Sequence, residues 1–150
     1  MSKLFLDDLE VGQVYRLGSQ SLSEEDIIAF AERYDPQPFH IDPAAAAETI
    51  YGGVIASGWQ TACIFMRLFV DGLLSRSAAM GSPGLDELRW LKPVRPGDVL
   101  DARVEVLESR PSRSKPDRGL AKLRCVVADR SGDEVLTFIA NVLFQKRETG

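Results

Sequence analysis

Asp35 and His40 are the two residues whose chemistry and spacing first suggest a reaction. His40 is the only histidine of the chain, and it follows Asp35 by five residues in a segment that also holds Pro36 and Pro38. Because proline restricts its own backbone and that of the preceding residue, we expect a rigid extended loop from Asp35 to His40. Such a loop can direct a carboxylate and an imidazole at one water molecule and move its protons. The spacing alone is also typical of a surface aspartate and a structural histidine.

A second candidate feature begins at Ser57 and Gly58. The stretch from Trp59 to about Leu74 is apolar, and its length predicts a helix buried on most of its circumference, with Ser57 as its N-cap. The first backbone N–H groups of a helix lack partners within it and carry partial positive charge. Gly58 has no side chain, so a carbonyl group could approach these donors and be polarised as in an oxyanion hole. Alternatively, the glycine serves only a tight turn and close packing.

Two further features allow both a functional and a structural interpretation. The segment 110–118 is basic, and its Arg113 and Lys115 could donate charge-assisted hydrogen bonds to phosphate groups. The same composition is typical of a solvated hairpin loop. Large apolar side chains of the predicted helix could line a tunnel or pack in the core, and Trp59 is the best candidate for lining because it follows Gly58. The set comprises Trp59, Phe65, Met66 and Phe69.

Composition narrows the class of protein before any element is assigned. The 150 residues suffice for one domain, and 45% hydrophobic with 27% charged residues is ordinary for a soluble globular protein. No apolar run approaches the roughly 20 residues of a membrane span, and no secretory signal opens the chain, so we expect a cytoplasmic protein without membrane contact. A net charge of -4 argues against a general attraction for nucleic acid.

The cysteines provide no framework for a disulfide or a metal. Cys63 and Cys125 both lie in apolar segments without metal-ligand spacing, and we expect both to be small buried hydrophobic residues. The sequence therefore predicts neither a resident metal nor a redox cofactor.

The first half of the chain predicts one strand followed by helices. Residues 11–17 suggest a short strand. Ser23 and Asp26 resemble a capping box, which predicts a helix that ends near Tyr34, before Pro36. A second short helix is expected at residues 43–49, with Asp42 as its N-cap.

The second half changes from a helical period to strict alternation, which is typical of half-buried strands. A further strand is predicted over residues 85–94, and residues 129–133 form a turn. These elements predict an α+β fold, in which a curved antiparallel sheet wraps around one central helix. The alternating apolar residues form three sets: Leu100, Ala102, Val104 and Val106; Ala121, Leu123, Cys125 and Val127; Leu136, Phe138, Ala140, Val142 and Phe144.

Three segments together resemble the MaoC-like dehydratases, relatives of the (R)-specific enoyl-CoA hydratases. They are Tyr-Asp-Pro-Gln-Pro-Phe-His-Ile-Asp at 34–42, Gly-Gly-Val-Ile-Ala-Ser-Gly at 52–58 and Leu-Lys-Pro-Val-Arg-Pro-Gly-Asp at 91–98. Their order and spacing match that family over roughly residues 5–144.

This resemblance implies a hot-dog fold, usually assembled as a dimer, and an acyl-CoA thioester as substrate. It implies that Asp35 and His40 are the catalytic pair, which holds the water that adds to the double bond of a trans-2-enoyl thioester. It also implies that the Gly58 amide binds the thioester carbonyl. The reaction needs neither a metal nor a redox cofactor.

The chain departs from the family's pattern at two positions. Gln37 stands where the hydratases commonly have Asn, and Ser57 stands where they commonly have His before the glycine. Both changes alter the pocket while leaving the acid–base pair intact. Two other functions stay open on the sequence: a thioesterase, in which Asp35 activates water against the carbonyl carbon, and a non-catalytic acyl-CoA-binding protein.

Overall fold

Five antiparallel strands form a single sheet in the computed structural model, which describes residues 3–148. The spatial order is β1-β3-β4-β5-β2, so the two strands that flank the helices in sequence, β1 and β2, lie at the two edges of the sheet. Shifts in the pairing register interrupt every ladder and bend the sheet, as expected of β-bulges. The strands are β1 (Val14–Ser21), β2 (Gly84–Trp90), β3 (Val99–Pro111), β4 (Arg118–Ala128) and β5 (Glu134–Gln145).

The alternating apolar residues in the second half of the chain form much of the core. Every apolar residue of the three predicted sets is buried, which confirms that these faces of β3, β4 and β5 point inward. The first and fourth predicted strands are present with shifted bounds, because β1 begins at Val14 rather than Val11 and β2 ends at Trp90 rather than Val94.

Helix α1 (Glu24–Tyr34) begins at the predicted capping box. The Asp26 N–H donates to Ser23 Oγ at 3.1 Å, and the Ser23 N–H donates to Asp26 Oδ2 at 3.0 Å. Helix α3 (Pro43–Ala47) begins as predicted, since Asp42 Oδ1 accepts from two amides of its first turn. It ends two residues before the predicted Thr49.

The segment between Asp35 and His40 is not the extended loop that its prolines suggested. Pro38–Ile41 forms a one-turn helix, α2, with Pro38 at its first position. The physical reason is that the φ of proline suits the first turn of a helix, where a missing N–H costs nothing. The turn brings His40 back towards Asp35.

Helix α4 (Gly58–Gly72) confirms the predicted apolar helix and its N-cap, since Ser57 Oγ accepts from the Trp59 N–H at 3.3 Å. One face packs into the core through Ile64, Phe65, Leu68 and Phe69. The prediction of burial on most of its circumference is wrong, because a second apolar stripe is exposed: Trp59, Cys63, Met66 and Val70.

The two cysteines therefore differ. Cys125 is buried as predicted, and burial raises the pKa of its thiol to about 12. Cys63 is exposed on α4, which corrects the expectation that both would be buried. Within residues 3–148, no helix is long and apolar enough to cross a membrane.

Candidate active site

His40 is buried, and its ring is held from one side by the main chain. Its side chain is 6% exposed, and Nδ1 lies 2.6 Å from the carbonyl oxygen of Ile55. Because a carbonyl group can only accept, Nδ1 carries the proton of this hydrogen bond. The Ile55 segment is itself tied down, since its N–H donates to Phe39 O at 3.1 Å and the next amide, Ala56 N–H, donates to Val94 O at 2.8 Å.

Asp35 occupies the C-cap of α1, and its carboxylate faces the other nitrogen of the ring. Oδ2 lies 3.3 Å from His40 Nε2. Oδ1 accepts from Gln37 Nε2 at 2.7 Å. Burial raises the pKa of the Asp35 carboxyl, but hydrogen bonds from Gln37 and Ser57 and the charge of His40 outweigh it, so the pKa lies below its ordinary value. Asp35 is therefore ionised at neutral pH.

The arrangement presents two acceptors to one point. When His40 is neutral, its proton is committed to Ile55 O, so Nε2 offers a lone pair beside the Asp35 carboxylate. A water molecule can satisfy both acceptors by donating one hydrogen to each. Such a pair can polarise that water, remove one of its protons and return a proton later.

The start of α4 supplies a donor close to this pair. Ser57 is fully buried and caps the helix at Trp59 N, and its hydroxyl lowers the pKa of the Asp35 carboxyl. Among residues 3–148, no acceptor is hydrogen-bonded to the Gly58 N–H, which belongs to the first helical position. This amide can bind a carbonyl oxygen and stabilise negative charge on it.

Trp90, at the end of β2, is a site residue that the sequence analysis missed. Its Nε1 donates to Gly58 O at 2.8 Å. A Cβ on Gly58 would lie 2.6 Å from the indole ring, so the missing side chain accommodates Trp90, besides any ligand. Trp90 also packs edge to face on Trp59, with ring centroids 5.3 Å apart. Only a general signal was available, an aromatic residue at the end of a predicted strand.

A cleft of about 450 Å³ joins these groups. Asp35, His40 and Gly58 lie on its lining, and the two tryptophans form part of its wall. Tyr51 also lines the cleft, as does the segment 91–94, which belongs to the β2–β3 connection. The volume and the mixture of aromatic walls with a few polar groups are typical of a site for a small organic molecule.

The structure does not bring the other predicted residues to this cleft. Arg113 and Lys115 are exposed on the β3–β4 hairpin, whereas the cleft lies at the opposite end of β3, beside Val94. Phe65 and Phe69 pack in the core, and Met66 is exposed on the outer stripe of α4. Of the four large apolar side chains considered on this helix, Trp59 alone lines the cleft.

Comparison with known proteins identifies the class to which this fold and site belong. The family model described as MaoC like domain matches residues 8–125. The chain is 34% identical over 140 residues to the 3-hydroxybutyryl-CoA dehydratase of Methylorubrum extorquens, covering 89% of this chain and 78% of that protein. It is 37% identical over 132 residues to the (R)-specific enoyl-CoA hydratase of Aeromonas caviae, covering 86% and 90%.

A solved structure agrees over almost the full length. The MaoC-like dehydratase from Rhodospirillum rubrum matches with a TM-score of 0.91 at 39% identity, covering 97% of this chain and 99% of that one. The chain belongs to the MaoC-like domain family and has the hot-dog fold, as its sequence motifs implied.

Proposed function

We propose that this chain is a hydro-lyase that adds water to a 2-enoyl-CoA or removes it from a 3-hydroxyacyl-CoA. The observation that carries the proposal is the Asp35 Oδ2–His40 Nε2 pair, 3.3 Å apart, on a cleft that the Gly58 amide also lines. Relatives named as a 3-hydroxybutyryl-CoA dehydratase and an enoyl-CoA hydratase support the same reaction type.

In the hydration direction, the pair holds one water molecule against C3 of the enoyl group. Asp35 takes a proton from this water while the oxygen forms its bond to C3. The electrons of the C2–C3 double bond move towards the thioester carbonyl, whose oxygen gains negative charge. The Gly58 N–H stabilises that oxygen, as donors in an oxyanion hole do.

His40 orients the water through Nε2 and helps to relay the proton to C2, which completes the addition. The bond from Nδ1 to Ile55 O supports this role because it keeps the lone pair of Nε2 directed at the water. Dehydration follows the same steps in reverse. The expectation that no metal or redox cofactor takes part stays a prediction, as does a cytoplasmic location.

The decisive assay separates hydration from hydrolysis. Purified protein is incubated with crotonyl-CoA and with longer and branched enoyl-CoAs, while loss of the conjugated enoyl absorbance and release of free thiol are followed in parallel. We expect loss of absorbance without thiol. Thiol release would move the assignment to a thioesterase, and binding of the esters without conversion would indicate an acyl-CoA-binding protein.

We further propose that two copies of the chain pair over the exposed face of α4 and β2. The apolar stripe of α4 is exposed there, and β2 is an edge strand whose residues are nearly all exposed. Exposed apolar stripes and free strand edges are surfaces that proteins normally cover. Trp59 and Trp90 belong to both this face and the cleft, so a second copy would also close the cleft.

Light scattering after size-exclusion chromatography tests this pairing. We expect a dimer for the natural chain and a monomer for the variant that carries both Met66→Lys and Val70→Lys. A dimer that survives both substitutions, with an unchanged far-ultraviolet spectrum, would contradict this interface.

A further inference from the structure

The proposed substrate carries phosphate groups. Because the net charge of the chain is -4, these groups must be bound by basic side chains close to the cleft. The sequence suggested Arg113 and Lys115 for this role. Strand β3 has thirteen residues between the cleft end and the hairpin that holds them, which is about 40 Å if extended. Within one chain, that distance exceeds the reach of a coenzyme A arm whose thioester lies at Gly58.

Lys92 is the cation on the lining of the cleft, but its charge is already neutralised. Its Nζ lies 2.6 Å from Asp129 Oδ2 and 2.9 Å from Asp133 Oδ2. These hydrogen bonds hold the pKa of the ammonium group well above its ordinary value. The contacts fix the β2–β3 connection to the β4–β5 turn, which is a structural role.

Arg95 stands on the same connection, three residues further along. Its Nη1 donates to the carbonyl oxygen of Tyr51 at 2.7 Å, and Tyr51 lines the cleft. Its own N–H donates to Asp98 Oδ2 at 2.8 Å, which closes a tight turn. The side chain is exposed, and no carboxylate of residues 3–148 forms an ion pair with its guanidinium.

We propose that Arg95 is the residue that binds the phosphate groups of the coenzyme A portion at the rim of the cleft. The bond to Tyr51 O holds one end of the guanidinium in place, while no other side-chain hydrogen bond or ion pair of this group is formed within residues 3–148. Arginine presents planar, paired donors that suit phosphate oxygens, and a guanidinium held in place loses little freedom on binding. This inference rests on the proposed function, because it assumes that the thioester lies at Gly58.

The test compares two substrates that share the crotonyl thioester and the pantetheine arm. Crotonyl-CoA also carries the phosphorylated adenosine portion, and crotonyl-pantetheine lacks that portion with all of its phosphates. We expect Arg95→Gln to raise KM for crotonyl-CoA about tenfold, the typical worth of one charge-assisted hydrogen bond, with little change in kcat. For crotonyl-pantetheine, KM should be unchanged. Arg95→Lys keeps the charge and should recover part of the affinity.

A matched control removes the rival cations: the double variant Arg113→Gln, Lys115→Gln should leave both KM values unchanged. A rise in KM for crotonyl-CoA in the hairpin variant, with none in Arg95→Gln, would overturn the proposal. So would an equal rise for both substrates in Arg95→Gln, because that result would mean a structural role through Tyr51.

Failure of the proposed function would be visible separately. If the natural chain hydrates neither ester, titration calorimetry with coenzyme A and with pantetheine replaces the kinetic assay. The proposal then predicts that Arg95→Gln weakens binding of coenzyme A about tenfold and leaves pantetheine unaffected. Absence of any difference between the natural chain and Arg95→Gln in coenzyme A affinity would overturn it.

Discussion

The two ends of the sheet hold their polar side chains in different ways. At the cleft end, the His40 side chain is 6% exposed, and the two Asp35 oxygens have separate partners, Gln37 and His40. At the hairpin end, Arg118 pairs with its neighbour Asp117, while Arg113 and Lys115 are exposed. Both ends carry charged residues that could do chemistry, but only the cleft end restrains them by burial and by hydrogen bonds with Gln37 and the Ile55 carbonyl.

This difference indicates what separates a site from a charged loop. An exposed side chain without a fixed partner keeps its rotamer freedom and is screened by water, so its charge does little to orient a ligand. A buried group with fixed partners has one orientation, and the partners of Asp35 also lower the pKa of its carboxyl. Residue type alone suggested a functional site at both ends. Burial and fixed hydrogen-bond partners favour the cleft end as that site.

The largest expected effect comes from removing the charge of the restrained carboxylate. Asp35→Asn should lower kcat for crotonyl-CoA hydration by about 10²–10⁴-fold, the usual worth of a positioned acid–base group. The variant should stay folded because Asn retains the shape of the side chain. Absorbance kinetics with thermal unfolding as the control would check this, and near-normal turnover would contradict the assigned role.

A pair of glycine substitutions compares the two ends directly. In Gly58→Ala, the new Cβ would lie 2.6 Å from the Trp90 ring, so the ring must move and its hydrogen bond to Gly58 O is lost. We expect kcat/KM to fall about tenfold, less than the 10²–10³ that removal of an oxyanion-hole donor costs, since the amide itself remains.

The matched substitution lies at the hairpin end. In Gly119→Ala, the new Cβ would contact backbone atoms, including Pro111 Cα at 2.8 Å. Since backbone cannot swing aside, we expect stability to fall by about 1–3 kcal/mol. Activity below the lowered Tm should be unchanged. Loss of activity in the folded Gly119→Ala variant would mean that the two ends are coupled.

The smallest effect is a shift in pH dependence. Burial raises the pKa of Asp35, while Gln37, Ser57 and His40 lower it to below its ordinary value. Gln37→Leu removes one of the lowering bonds, so the pKa should rise. Because the base must be ionised, the acid limb of kcat/KM should move to higher pH, while the rate at neutral pH changes less than tenfold. Gln37→Asn serves as the control, and an unmoved limb in Gln37→Leu would exclude this contribution.

Local sequence determined much of the fold. Every residue that the alternation in β3, β4 and β5 placed inward is buried, and the capping residues Ser23, Asp42 and Ser57 marked the starts of three helices. These features depend on neighbours within a few positions, where the period of the backbone decides which side chains share a face. The candidate pair Asp35 and His40 was predictable for the same reason, since both lie in one short segment.

Tertiary contacts decided the features that give this pair its chemistry. Ile55 O, fifteen positions along the chain, holds the proton on Nδ1 of His40, and Trp90, thirty-two positions from Gly58, packs on the start of α4. The distance from the cleft to the basic hairpin, and the exposure of Cys63 and Met66, likewise depend on how helix and sheet pack. Sequence periodicity says which residues can be buried, but the assembled layers decide what covers each face and which distant backbone groups meet a side chain.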